Sequence, residues 1–342
     1  MALVRLPLFE RRISLKVYQL ENTNGISMRF MNYGATVIAI ETPDSRGEMD
    51  NIILSLPTPH DYTKEKTYLG ATIGRVAGRI RVGEWTFPLE KNEGDNHCHG
   101  GTIGFESRFW DGEPFQEETR VGVRFTYHSP AFENGYPGNL TATVCHSLDH
   151  ENNWRTTYTA TTDATTLFNP TNHVYFNLAG SKENTIHNHT LTIQSDAYLP
   201  LTAENLPTGE IKNVQNTPFD LRTATPLQAV LASNHRDIQQ SQGLNHPFIL
   251  NNQQHSAATL THPDTGRQIS IITTAPAVIA YTGNHFNQDF TLSTGQKVTK
   301  YAGIALETQQ LPDAIHHPNF GNIILQPDQP FYSETTYQFS LK

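Results

Sequence analysis

The chain is short of cysteine, of clustered positive charge, of long apolar runs and of helical periodicity. Each shortage closes off a class of protein. Two cysteines, Cys98 and Cys145, among 342 residues make no disulfide framework. Lys and Arg number 24 against 33 Asp and Glu, a net charge of −9, and no basic run stands out. Phosphate contacts need clustered positive charge, so no nucleic-acid partner is expected. No apolar run approaches the roughly 20 residues that span a bilayer, so no membrane partner is expected either. The opening stretch, MALVRLPLFERRISLK, sets Arg5, Glu10, Arg11 and Arg12 too close together for a secretory leader. With so few cysteines, a cytoplasmic location is the expectation.

What fills the chain instead is polar and strand-forming. Hydrophobic residues are 37% and charged residues 17%, and Thr, Asn, Gln, Ser and His make up the balance. A helical bundle would want more Ala, Leu, Glu and Lys. GISMRF alternates Ile26, Met28 and Phe30 against Ser27 and Arg29, and MNYG then turns the chain into ATVIAIET. VGVRFTY, NLTATVCHSL, NWRTTYTATT, HTLTIQSD, RQISIITT, AVIAYTGN and TTYQFSL repeat the pattern, with Trp154, Thr156, Tyr158 and Ala160 on one face of their strand. The best helical candidate, PLQAVLASNHRDIQQ, is short. Many antiparallel strands at short spacing predict an all-β fold, a large antiparallel β-sandwich. No internal repeat or linker divides the chain, so one domain over residues 1–342 is expected.

Four polar constellations interrupt the strands: GRVAGRIRVG with Arg75 and Arg79, NHCHGG at 96–101, NPTNHVYFNLAG at 169–180, and GIALETQQLPDA at 303–314. His173 and Tyr175 share a face if their segment is a strand, which makes His173 either an acid or base near neutral pH or a hydrogen-bonded core residue. His97-Cys98-His99 has the H-x-H spacing of some metal sites. Zinc wants three or four ligands, and Glu106, seven residues past His99, is poorly spaced to join them. His187 and His189 have less support still. The Gly100-Gly101 pair points instead to a close backbone approach beside His99. Glu307 follows Ile-Ala-Leu in an apparent buried strand and shares a face with Ala305 and Gln309 while Leu306 faces away. It is either a base of raised pKa in a polar pocket or the ion-pair partner of Arg75 or Arg79.

Taken together, these motifs resemble the aldose 1-epimerase (galactose mutarotase) family. NYGATV is similar to its early hairpin, GRVAGRI to its Gly-Arg segment, NHCHGG to N-x-L-H-G-G with Cys98 in the Leu place, and NPTNHVYFNLAG to N-x-T-N-H-x-Y-F-N-L-x-G. YLPLTAENLPTGEI, TPFDLR, GLNHPF, YTGN and LETQQLPDA follow in the family's order over most of the chain. The resemblance implies a sandwich of the galactose-mutarotase type with an open sugar cleft. It also implies cofactor-free exchange of α and β anomers and a small-molecule sugar as partner, in a monomer or homodimer. By resemblance Glu307 is the catalytic base and His173 the acid, on opposite sides of the C1–O5 unit. Arg79, His99, Tyr175 and Asn245 contact sugar hydroxyls, and Arg75 ranks below Arg79. No metal is needed.

Three positions depart from the family pattern. Asn245 stands where most members have Asp, Gly78 where an Asn is common, and Ile279 where some have a Gln. All fall among binding positions, so the reaction is expected to persist and the sugar preference to shift, for instance toward a disaccharide such as maltose. A non-catalytic sugar-binding protein, a metal-dependent cupin-like enzyme and a sugar-phosphate epimerase are the competing readings. The last would need a basic cluster beside the cleft, and none is evident.

Overall fold

A computed structural model describes residues 14–64, 66–83, 87–251 and 256–342. Arg5, Glu10, Arg11 and Arg12 therefore lie outside the described residues. The strands form three large antiparallel sheets, together with several two-stranded ribbons. A four-stranded meander runs Val17–Glu21, Ser27–Met31, Thr36–Pro43 and Met49–Asn51. The nine-stranded sheet is centred on Arg267–Thr273, Phe331–Leu341, Asn153–Thr162 and Leu140–Asp149. The six-stranded sheet runs Tyr175–Phe176, Ile304–Gln309, Ala277–Tyr281, Asn245–Leu250, Ser195–Tyr198 and Lys212–Asn213 in that order across its width. The protein is an all-β sandwich, as its alternation predicted. Trp154, Thr156, Tyr158 and Ala160 are all buried along one face.

One hydrophobic core joins the sheets. Met28 and Phe30 enter it from the meander, Phe125 and Trp154 from the nine-stranded sheet, and Phe248 and Leu306 from the six-stranded sheet. The predicted helix is two short helices, Leu227–Leu231 and Arg236–Ser241. They are separated at Ser233-Asn234, and His235 caps the second by accepting from the Asp237 N–H at 3.2 Å. No helix among the described residues is long and apolar enough to cross a membrane.

The six-stranded sheet matters most for function, because its two faces do different things. Along Ile304–Gln309, Ile304 and Leu306 enter the main core, and the Thr308 hydroxyl meets that of Thr335, on the nine-stranded sheet, at 2.7 Å. The alternate residues Glu307 and Gln309 line a cavity. The neighbouring strands repeat the division, with Val278, Ala280 and Phe248 inward and Ile279, Tyr281, Asn245 and Pro247 on the cavity side. Leu306→Ala, which empties the core face behind the site, is expected to lower unfolding free energy by about 2–5 kcal/mol in denaturant titration.

Candidate active site

Cross-strand register turns the cavity face into rows. Tyr175 and Tyr281 both pair with Ala305, and Asn245 pairs with Tyr281. In the next row Glu307 pairs with Ile279, and Ile279 with Pro247. Above them lies a cavity of about 260 Å³. Glu307, His173, Arg79, His99, Tyr175 and Asn245, all proposed from sequence, line this one space.

His173 reaches it by an unexpected route. Its segment is not one strand. Thr171–Asn172 pairs with Thr72–Ile73, whereas Tyr175–Phe176 pairs with Ile304–Ala305. The chain changes partners at His173, and the Asn172 side chain accepts from the Val174 N–H at 3.1 Å across that step. His173 is fastened on both sides by its own backbone, its N–H to Ala71 O at 2.9 Å and its C=O from the Gly70 N–H at 3.0 Å. Its ring packs on Tyr175 at 4.8 Å between centroids.

His173 Nε2 lies 3.4 Å from Glu307 Oε1, and both side chains are about 5% exposed. Burial pushes the Glu307 carboxyl up to about 8, and the nearby Arg79 cation offsets only part of that. Ile279, directly opposite on the neighbouring strand, adds to the desolvation. Burial also pushes His173 down, to about 4. Glu307 Oε2 has no hydrogen-bond partner among the described residues. Neither arginine forms an ion pair with Glu307. Arg75 is buried and donates to Ser129, Pro130, Pro137 and Thr166, while Arg79 pairs with Glu93. His173 and Glu307 are thus in direct contact at the cavity.

His99 has φ +49, and Gly100 and Gly101 continue at +83 and +107. A Cβ on Gly100 would sit 1.8 Å from Gly74 O, so the close approach read from the glycine pair is real. The Gly78 N–H donates to His99 Nδ1 at 3.3 Å, which leaves Nε2–H as a donor. Burial first, then the neighbouring His173 and Arg79, keep this imidazole neutral by pulling its pKa well down. Gly78 itself has φ +74, a conformation Asn also tolerates, so the exchange keeps the turn and removes a side chain from the cavity wall. Asn245 Nδ2 donates to Asn205 Oδ1 at 3.2 Å, which leaves its carbonyl oxygen to accept.

The H-x-H pair does not act together. His97 is buried beside Glu90 O at 2.6 Å and the Tyr136 hydroxyl at 2.6 Å, so both its nitrogens have protein partners. Glu106 is taken by Lys66 at 3.1 Å and by the Ser107 hydroxyl at 2.9 Å. His189 Nε2 accepts the Leu178 N–H at 2.8 Å. Glu183, His262 and Asp264 bring ligand atoms together, but not at this cavity. The sequence reading missed Tyr68, Glu93, Asn205, Tyr281 and Gln309, which also line the site. Alternation marks two of them, since Gln309 and Tyr281 lie two residues beyond Glu307 and Ile279. Tyr68 has φ +58 and packs against His99 at 5.1 Å, and no sequence pattern announces it.

Fold and cavity define a β-sandwich protein with a buried carboxylate–imidazole pair in a polar cleft. Comparison with known proteins narrows this class. The family model for aldose 1-epimerase matches residues 16–338. A galactose mutarotase from Bos taurus is 34% identical over 335 residues, covering 96% of this chain and 95% of its own. An aldose 1-epimerase from Escherichia coli K12 is 33% identical over 334 residues, covering 95% of each. The crystal structure of a galactose 1-epimerase from Lactobacillus acidophilus superposes with a TM-score of 0.88 at 34% identity, covering 100% of this chain and 99% of that one. The chain belongs to the aldose 1-epimerase family and so to the isomerases.

Gly100→Ala forces the Gly74 carbonyl away and moves His99 with it. The expected result is a lowered thermal midpoint together with weaker sugar binding, measured by melting and by calorimetry.

Proposed function

We propose that this chain, as one domain over residues 1–342, interconverts the α and β anomers of a free aldose such as galactose or glucose. The observation that carries this reading is the Glu307–His173 contact at 3.4 Å, with a buried carboxylate oxygen left unpartnered beside the cavity. Anomer exchange removes a proton from the C1 hydroxyl and delivers one to the ring oxygen. The ring opens, C1–C2 rotates, and reclosure runs the roles backwards.

The pair holds one proton between about pH 4 and about pH 8. Passing it from Glu307 to His173 makes a base and an acid together, with no change in the pair's net charge. A sugar hydroxyl donating to Glu307 Oε2 favours that transfer, because it stabilises the carboxylate. Arg79 and the His99 Nε2–H hold other hydroxyls as donors. The Asn245 carbonyl accepts, and the Tyr175 ring walls the acid. The scheme uses no cofactor and no metal. The working context is the cytoplasm, as monomer or homodimer.

A second reading keeps the reaction and changes the sugar. Gly78, Ile279 and Asn245, the three departures from the family pattern, all line the cavity. Room at Gly78 and an amide at Asn245 support a larger reducing sugar such as maltose. Polarimetry of fresh α-galactose, α-glucose and α-maltose separates the two readings, and a clear galactose optimum would sink the shift. Glu307→Gln keeps the shape without the base and is expected to lower kcat roughly 10²- to 10⁴-fold. Near-full activity in that variant would mean that Glu307 is not the base.

The pH profile follows with its sign. Below about pH 4 the pair gains a second proton and loses its base. Above about pH 8 it loses its only proton and with it the acid. A bell between those limbs is expected in kcat/KM, and a flat profile across the same range contradicts the pair.

A further inference from the structure

Arg79 does not enter the cavity alone. Its Nε donates to Glu93 Oε2, and its Nη2 donates to Glu93 Oε1 at 2.8 Å, a parallel two-bond pair. Glu93 opens the turn that leads into the strand Asn96–Cys98, whose register sets Arg79 against Cys98. That turn is tied down. The Asn92 amide donates to Cys98 O at 2.9 Å and accepts from the Cys98 N–H at 2.7 Å. The Asn96 N–H also bonds Glu93 O at 2.9 Å. The carboxylate therefore stands on a fixed backbone and lines the same cavity as Glu307 and His173.

Two physical consequences follow. A guanidinium carries its donors in a rigid plane, so holding the Nε–Nη2 edge fixes which edge is left over. The Nη1 side, left over by that pair, is then held in one rotation on a residue that lines the cavity, where it can donate to neighbouring hydroxyls of a sugar ring. Arg79 is also the cation whose field acts on Glu307. A partner of its own keeps it from closing onto that carboxylate. The pair's stabilising effect is small, because the Glu93 side chain is 46% exposed.

We propose that Glu93 is a positioning residue of the sugar site, fixing the rotation of the Arg79 guanidinium so that its free edge takes adjacent hydroxyls of the bound aldose. The proposal rests on the epimerase reading above and adds a specificity determinant to it.

The test is a double-mutant cycle on Arg79 and Glu93. It is read by polarimetry on galactose and glucose with KM and kcat separated, and in parallel by calorimetric binding of the same sugars. Glu93→Ala is expected to raise KM about five- to tenfold while kcat stays within about twofold. The thermal midpoint is expected to move by less than about two degrees. Glu93→Gln, which keeps one acceptor, is expected to fall between the wild type and Glu93→Ala. In an Arg79→Ala background, Glu93→Ala is expected to change KM no further, because its effect passes through the guanidinium. Additive losses, or a wild-type KM in Glu93→Ala, would overturn the proposal. If the wild type binds sugar without exchanging its anomers, the epimerase reading fails. The binding arm of the cycle would then decide the role of Glu93 by the same additivity criterion.

Discussion

The site depends on one constraint: a carboxylate buried beside an imidazole, with no cation paired to it. An ion-paired Glu307 would be a settled charge with a low pKa and little use as a base. Here the two arginines of GRVAGRI are both committed elsewhere, Arg75 to backbone and hydroxyl oxygens and Arg79 to Glu93. Glu307 is left with His173 and an unpartnered oxygen. Burial then drives the two pKa values past each other, the carboxyl upward and the imidazole downward. A pair in that condition keeps a single transferable proton near neutrality, which is what a reaction that takes one proton and returns another requires.

The fold supplies this environment through the two faces of one sheet. The strand that buries Ile304 and Leu306 in the core turns Glu307 and Gln309 to the cavity, so core packing fixes the height and direction of the carboxylate. Ile279 lies opposite it in register and excludes water on that side. His173 comes from a different kind of place, a step between two short pairings, where bonds to Ala71 and Gly70 hold its backbone. The rigid strand carries Glu307, and the tied crossover carries His173. Both positions are set by backbone hydrogen bonds rather than by surface side chains.

How much of this was legible in the sequence differs from residue to residue. The sandwich was legible because alternation has a period of two and one face of each sheet is buried, as Trp154 and Tyr158 illustrate. Glu307 stood out as a charge in an apolar strand. The break at His173 was not legible, because it depends on an Asn172 side-chain bond and on a change of partner strand. Arg75 and Arg79 sit in similar local sequence, and only the fold sends one into protein and the other to the cavity. Glu93 reads as an ordinary polar turn residue until the turn is seen to curl back over Arg79. Tyr68 owes its place to a positive φ that no pattern foretells.

The departures at Gly78, Ile279 and Asn245 line the same cavity as Glu307 and His173 and leave their contact intact, so on the proposed reading chemistry and sugar choice are separable. The most direct test of the central claim is a pH titration of the Glu307 side-chain carboxyl by carbon-13 NMR in the free protein, assigned by its absence in Glu307→Gln. A midpoint at about 8 is expected. A midpoint near about 4.3, where unperturbed glutamates titrate, would show that Glu307 is a paired or solvated charge and would contradict the account.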